Sequence, residues 1–178
     1  MLKQLKRLRR SACGLAAVEF ALLAPVLATL LLGTIELCNA LECRQKVVSE
    51  TSSVADLVAQ ASSVSNADLA NIFDAGNSIL VPFAAADATI VVSSIVNNPL
   101  NGQDTVAWSQ PYNGGTPLPL NSVVTVPPGV ISAGGSAIFV QVTYNYTPPV
   151  GRFLIGPIEM GDSFYSHPRE SVRVNYTG

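Results

Sequence analysis

The longest apolar stretch of this chain lies near its N-terminus. Sixteen residues without a charge run from Phe20 to Ile35, between Glu19 and Glu36, and the wider apolar segment from Leu15 to Leu37 contains 23 residues. About 20 predominantly apolar residues are enough for a helix to cross the hydrocarbon layer of a bilayer. The pattern therefore predicts a transmembrane helix over residues 15–37.

A helical pattern continues beyond this apolar segment. Residues 38–62 contain no glycine or proline, and Glu42, Lys46 and Glu50 follow one another at the four-residue spacing of helical ion pairs. An apolar stripe with helical period accompanies them, formed by Val47, Val54, Val58 and Ala61. We predict an amphipathic helical extension over residues 38–62, either continuous with the membrane helix or separated from it by a break near Cys38–Cys43.

Residues 63–82 are predicted to be a linker followed by a short helix. Ser65 and Asp68 have the spacing of a capping box, and Gly76 is a residue type that commonly follows the last turn of a helix. These signals predict a second helix over residues 66–75, and Pro82 ends any continuation.

From residue 83 to residue 178 the pattern changes to that of a β-rich domain. Runs of alternating or β-branched residues predict strands, with turn residues between them. The predicted strands are Thr89–Val96, Thr105–Ser109, Ala137–Thr147 and Val172–Tyr176, with one short strand at Val123–Val126 inside a long loop over 110–136. The fold class predicted is α+β, with a long N-terminal helix packed on a small antiparallel sheet.

Charge is distributed unevenly between the two ends of the chain. Residues 1–14 carry five basic residues and no acid, whereas the remainder carries five bases against twelve acids. An excess of Lys and Arg marks the cytoplasmic side of a membrane helix, so residues 1–14 are expected in the cytoplasm and the β-rich domain outside it. An acidic body also argues against nucleic acid as a partner, because only the short basic segment could contact phosphates.

The junction between the basic segment and the apolar segment contains a motif, Gly14-Leu15-Ala-Ala-Val-Glu19-Phe20. It resembles the cleavage site of class 3 (type IV) prepilins, with glutamate fifth in the processed chain. Phe20, the Ala24-Pro25 pair and the segment Gly33–Leu37 resemble, more narrowly, TadE-like proteins, which are minor pilins or pseudopilins of tight-adherence (Tad, type IVc) pilus systems.

This resemblance implies a structural role in pilus assembly, without enzymatic activity or cofactors. A prepilin peptidase would cut after Gly14, Leu15 would become the new N-terminus, and Glu19 would meet the α-amine of a neighbouring subunit. Phe20 and Glu36 are the further residues assigned to assembly. The implied partners are the peptidase, other pilus subunits, an inner-membrane assembly platform and the lipid bilayer, and the chain would be a single-pass inner-membrane protein that can enter a pilus.

Several alternatives remain open from the residues alone. A signal-anchored periplasmic binding module or enzyme would have the same topology, and a type II secretion pseudopilin would share the cleavage motif. Glu19 could pair with nothing and reach the headgroups instead. Glu36 lies near the far interface, where headgroups could solvate it, with Arg44 or a neighbouring subunit as alternative partners. Methylation of the new N-terminus is open as well, because Leu15 stands where many pilins have phenylalanine.

Candidates for catalysis or metal binding are few. The one histidine, His167, follows Asp162 and Ser163 closely, but closeness in sequence does not create a catalytic trio. A single histidine leaves no zinc site, and only a calcium site using Asp104 or Asp162 stays open. Cys13, Cys38 and Cys43 are predicted to be free thiols. The aromatic residues of the β-rich domain form either a core or an interaction patch: Trp108, Tyr112, Phe153, Phe164 and Tyr165.

Overall fold

The computed structural model describes residues 12–149 and 156–178, with the side chains described from Gly14 onward. One long helix, α1 (Ala12–Ala59), leads into a mixed helical and β-sheet domain. The elements that follow α1 are, in chain order, β1 (Ser63–Val64), α2 (Asn66–Leu80), a 3₁₀ turn (Ala85–Asp87), β2 (Ala88–Asn97), β3 (Asp104–Tyr112), β4 (Ser136–Tyr146), β5 (Ile158–Ser166) and β6 (Asn175–Tyr176). The predicted α+β class is confirmed.

Helix α1 is continuous, which decides between the two arrangements that the sequence left open and excludes a break near Cys38–Cys43. Its 48 residues extend about 72 Å at 1.5 Å per residue. Burial begins at Glu36 and then follows a helical stripe that includes Val47, Val54 and Val58, each at most 1% exposed. The second half of α1 is therefore held by packing on the domain, in the way that the sequence stripe predicted.

The main sheet has four antiparallel strands in the order β3-β2-β4-β5. Strand β4 is central and pairs with β2 on one side and β5 on the other. Its alternate residues face α1 and lie in the main core with their β2 neighbours, among them Ile90, Val92, Val140 and Val142. Helix α2 packs beside α1, and both contact the sheet domain through this apolar layer.

The opposite face of the sheet is covered by the segment between β3 and β4. Ser109 of β3 accepts a hydrogen bond from the Leu118 N–H at 3.0 Å, and its hydroxyl lies 2.8 Å from that of Ser93. Gly115 approaches so closely that a Cβ there would lie 2.8 Å from a methyl group of Val91. This long loop is thus a third layer of the domain. The predicted strand Val123–Val126 is wrong, since only one isolated bridge joins Val123 to Thr105.

Two further expectations about strands are corrected. Strand β5 has no counterpart in the sequence prediction, although it forms one edge of the main sheet. The predicted last strand, Val172–Tyr176, is reduced to β6, which pairs in parallel with β1 rather than joining the main sheet. Because β1 directly follows α1, this pairing ties the C-terminal segment to the end of the long helix.

Most of the aromatic residues pack inside the domain rather than forming a surface patch. Trp108 is 6% exposed, and its indole N–H donates to the carbonyl of Val174 at 2.8 Å. Tyr112 lies 5.0 Å from Phe73, and Tyr165 stacks on Phe139 at 4.4 Å between ring centroids. Phe164 is 43% exposed, whereas Phe153 lies outside the described residues.

Candidate functional site

The candidate site is the first half of α1, which projects from the domain. Every side chain from Leu15 to Ile35 is exposed except that of Ala24, which is half-buried. The large apolar side chains are the most open, with Leu15 at 67%, Phe20 at 69% and Leu31 at 63%. Such a surface is unfavourable in water, since each Å² of apolar area costs about 25 cal/mol to expose.

This projecting segment has the length and composition of a membrane span. An 18-residue window of the helix has a mean hydropathy of 2.3 and no residue buried within the protein. Leu15–Ile35 extends about 31 Å as a helix, against about 30 Å for the hydrocarbon layer. The apolar helix therefore indicates membrane anchoring, with the domain starting where the span ends.

Pro25 lies inside the projecting segment, yet α1 runs through it. Proline has no N–H, so the carbonyl of Ala21 loses its usual helical partner. Side-chain hydroxyls bond to the backbone in the turns that follow: Thr29 donates to the carbonyl of Pro25 and Thr34 to that of Leu30, each at 2.8 Å. Because both threonine hydroxyls donate to carbonyls of their own helix, neither presents an unpaired donor to apolar surroundings.

The residues of the cleavage motif lie at the far end of this projection. The basic residues 1–10 are outside the described part of the chain, whereas Gly14 and Leu15 belong to the first turns of α1. Glu19 and Phe20 are exposed on the projecting helix, away from every strand of the domain. About 26 Å of helix separates Glu19 from Glu36, so the two carboxylates occupy opposite ends of the apolar segment.

Glu36 marks the point where α1 enters the domain. It is 9% exposed, which contradicts the expectation that headgroups solvate it. The phenol of Tyr146, at the end of β4, lies near the Glu36 carboxylate. Burial raises the pKa of Tyr146, and the neighbouring negative charge of Glu36 raises it further. Tyr146 lies in the strand predicted over Ala137–Thr147, but the sequence gives no signal that pairs it with Glu36, because the two are far apart along the chain.

The predicted ladder of Glu42, Lys46 and Glu50 is also corrected. The ammonium of Lys46 donates to the Ile79 carbonyl at the end of α2, at 3.2 Å. Glu50 is fully buried, and neither of its carboxylate oxygens has a hydrogen-bond partner among the described residues. Burial alone raises the pKa of Glu50 to about 7. Tertiary packing of α2 on α1 thus replaces the surface ion pairs expected from the spacing.

The structure also separates the groups considered for catalysis and metal binding. Asp162 and Ser163 are consecutive in β5 and so point to opposite faces, while the ring of His167 hydrogen-bonds the Val130 carbonyl. Asp104 lies on β3, at the other edge of the sheet from Asp162. Within residues 12–149 and 156–178, no group of three His, Cys, Asp or Glu side chains is placed to hold a metal ion.

The two cysteines whose side chains are described are free thiols, as predicted. Cys38 is exposed and Cys43 is buried on the stripe that faces the domain. Burial raises the pKa of the Cys43 thiol to about 11, and the nearby Glu42 carboxylate contributes. Cys13 lies outside the described side chains.

Comparison with known proteins gives one match. A family model described as TadE-like protein matches residues 14–55, which begin at Gly14 and end within the packed half of α1. The resemblance to TadE-like proteins is thereby confirmed for this helix, and it indicates a structural role related to Tad pili. No curated protein matches the chain, and no solved structure matches it either.

Proposed function

We propose that this chain is a minor pilin or pseudopilin of a Tad-type (type IVc) pilus, processed by a prepilin peptidase after Gly14. The observation that carries the proposal is the division of α1 into two halves. From Leu15 to Ile35 the helix is apolar and exposed, and from Glu36 onward it is packed on a domain. A helix of this kind can stay in lipid or move into a bundle of like helices while its domain remains folded. The family match over residues 14–55 supports the same role.

The proposed location is the inner membrane, with the N-terminus in the cytoplasm and the β-rich domain outside. The five basic residues before Gly14 favour this orientation, because Lys and Arg are retained on the cytoplasmic side. Cutting after Gly14 would remove all five charges. The remaining projection would then carry a single charged side chain, Glu19, before Glu36 is reached.

Glu19 is the residue assigned to pairing between subunits. A carboxylate within an apolar segment costs up to about 2.5–3.5 kcal/mol on insertion scales, the value at the bilayer centre, so a cationic partner stabilises it there. Cleavage creates such a cation, since the new α-amine of Leu15 has a pKa of about 8. In the proposed filament, Glu19 pairs with that amine on an adjacent subunit, and Phe20 packs beside the pair. Glu36 holds the helix to its own domain.

A Glu19→Ala substitution tests this role in cells that assemble the pilus. Membrane insertion should be unchanged, because the substitution removes a charge from the apolar segment. Recovery of the chain with sheared pili, or its cross-linking to other subunits, should fall at least tenfold. Glu42→Ala, which removes an exposed carboxylate on the packed half of α1, is the matched control. Normal assembly of the Glu19→Ala chain would refute the pairing role.

A further inference from the structure

A fully buried carboxylate lies in the contact between α1 and α2, away from the residues assigned to assembly. Neither oxygen of the Glu50 carboxylate has a hydrogen-bond partner among the residues that the structure describes. A Cβ on Gly76 of α2 would lie 3.5 Å from Oε1 of Glu50 and 2.7 Å from a methyl group of Val54, so the two helices meet closely over this carboxylate. Because an ionised carboxylate is costly to bury without a partner, the contact favours the protonated acid.

Among the described residues, no neighbouring charge compensates for the burial of Glu50. Burial is the one cause of its raised pKa, which is about 7. The ammonium of Lys46, one turn earlier on α1, donates to the Ile79 carbonyl. The remaining titratable groups of α1 beyond the span and of the elements packed on it do not contribute to that pKa: Glu36, Glu42, Cys43, Arg44 and Asp56 on α1, Asp68 and Asp74 on α2, Tyr144 and Tyr146 on β4, and Glu159, Asp162 and Tyr165 on β5.

Helix α2 is attached in a way that allows it to leave α1 without unfolding the sheet. It packs mainly on α1, and no strand pairing of the main sheet passes through it. Three buried apolar side chains hold it in the core, namely Leu69, Phe73 and Leu80. The side-chain hydrogen bonds that tie α2 to other elements run from Lys46 to Ile79 at 3.2 Å, from Asn77 to Tyr112 at 2.9 Å and from Tyr176 to Asn66 at 2.6 Å. None of these bonds belongs to the strand ladder, so their loss leaves the four strands paired.

We propose that Glu50 is a pH-sensitive switch: when it loses its proton, α2 moves away from α1 while the four-stranded sheet stays folded. The proton passes to solvent, and water hydrates the carboxylate in the open form. Opening also uncovers apolar side chains of α1 that lie beneath α2, such as Val54. This change takes place within the domain, so it goes beyond the proposed function and requires neither cleavage after Gly14 nor entry into a pilus.

The direction of the switch follows from the pKa of Glu50. The closed form holds the proton more tightly than the open form, in which the carboxyl regains its ordinary value of 4.5. Closure is therefore most favourable below pH 4.5, opening increases as the pH rises towards 7, and it stays constant above that. Between pH 5 and pH 8 the ratio of open to closed molecules should increase about 70-fold.

Native-state hydrogen exchange of the full-length chain in nanodiscs tests the proposal, with exchange rates corrected for the intrinsic effect of pH. The amides of residues 70–80 in α2 should lose at least tenfold in protection between pH 5 and pH 8. Their protection should change little at low concentrations of urea, because a local opening exposes little surface. The amides of residues 138–144 in β4 should be more strongly protected and should depend steeply on urea, as global unfolding does.

Two variants assign the effect to Glu50. The Glu50→Gln chain should lose the pH dependence of exchange in α2, because glutamine has no proton to release in this range. The Glu42→Gln chain, altered at an exposed carboxylate of the same helix, should keep it.

Equal protection and equal urea dependence in α2 and β4 would overturn the proposal, because α2 would then be released only when the whole domain unfolds. Protection of α2 that stays constant between pH 5 and pH 8, or that falls equally in the Glu50→Gln chain, would overturn it as well. The comparison of α2 with β4 uses the wild-type chain alone, so it decides the matter even if Glu50→Gln fails to fold. Cleavage after Gly14 is measured separately by intact mass, so failure of the switch would leave the proposed function standing.

Discussion

Glu50 allows the most quantitative prediction, because its carboxylate is buried between α1 and α2 with no hydrogen-bond partner among the described residues. A Cβ on Gly76 of α2 would lie 3.5 Å from Oε1 of Glu50, so the two helices leave the carboxylate no access to water. Lys46, four residues earlier on α1, donates its ammonium to the Ile79 carbonyl. Burial therefore raises the pKa of Glu50 from 4.5 to about 7.

The sign of the pH dependence follows from this direction. The folded chain holds the proton of Glu50 more tightly than the unfolded chain does, so folding is most favourable below the unfolded pKa of 4.5. Stability is lost as pH rises from there to about 7, and the loss is constant at higher pH. Each pKa unit corresponds to about 1.36 kcal/mol, which sets the loss at no more than about 3 kcal/mol.

Denaturant unfolding of the full-length chain in nanodiscs, followed by the fluorescence of Trp108, measures this loss. Between pH 5 and pH 8, the stability of the Glu50→Gln chain relative to the wild type should rise by about 2–3 kcal/mol, because glutamine carries no charge to bury. The Glu42→Gln chain is altered at an exposed carboxylate eight residues earlier on α1, and its stability should change with pH as that of the wild type does. Parallel pH profiles for Glu50→Gln and wild type would refute the assignment of this burial cost to Glu50.

Three further predictions concern packing and reactivity in the domain. Gly76→Ala should destabilise the fold by about 1–3 kcal/mol, because its Cβ would lie 2.7 Å from a methyl group of Val54. Asp74→Ala, at an exposed position of the same helix, should leave the stability unchanged, and urea unfolding of the two variants compares them. Trp108→Phe removes the hydrogen bond to Val174 and should speed hydrogen exchange at residues 174–177, while equal exchange rates would contradict the role of that bond. At pH 8, iodoacetamide should alkylate Cys38 well before Cys43, whose pKa is about 11, and peptide mapping that finds equal labelling would contradict its burial.

Local signals in the sequence were sufficient for the long helix and for the start of α2. The apolar stripe of α1 has the period of a helix and lies on the buried side. The capping box of α2 is present, with the Ser65 backbone N–H donating to Asp68 at 2.9 Å and the Asp68 N–H donating to the Ser65 hydroxyl at 3.3 Å. Both features depend on residues within a few positions of one another, so the sequence displays them directly.

The predicted end of α2 was wrong because Gly76 has a different role. The helix continues to Leu80, and Gly76 lies inside it at the contact with α1, where a side chain would meet Val54. The sequence prediction treats Gly76 as the residue that follows the last turn of a helix. Glycine is also the residue type that allows two helices to approach closely, and this is its role here. Only the structure of the α1–α2 contact distinguishes the two roles.

Strands β5 and β6 were missed or misplaced for a related reason. Asp162 stands on the face of β5 that points toward α1, which interrupts the apolar alternation that identifies a strand. Strand β6 depends on pairing with β1, more than a hundred residues earlier, and each contributes only two residues.

Intact mass tests most directly the proposal that this chain is a pilin-type subunit cut after Gly14. The protein is extracted from membranes of cells with and without a prepilin peptidase, together with a Gly14→Trp variant. We expect the wild-type chain to lose residues 1–14 only when the peptidase is present, and the Gly14→Trp chain to stay full-length in both kinds of cell. A full-length wild-type mass in both cells would contradict the claim, and would leave a signal-anchored protein in its place.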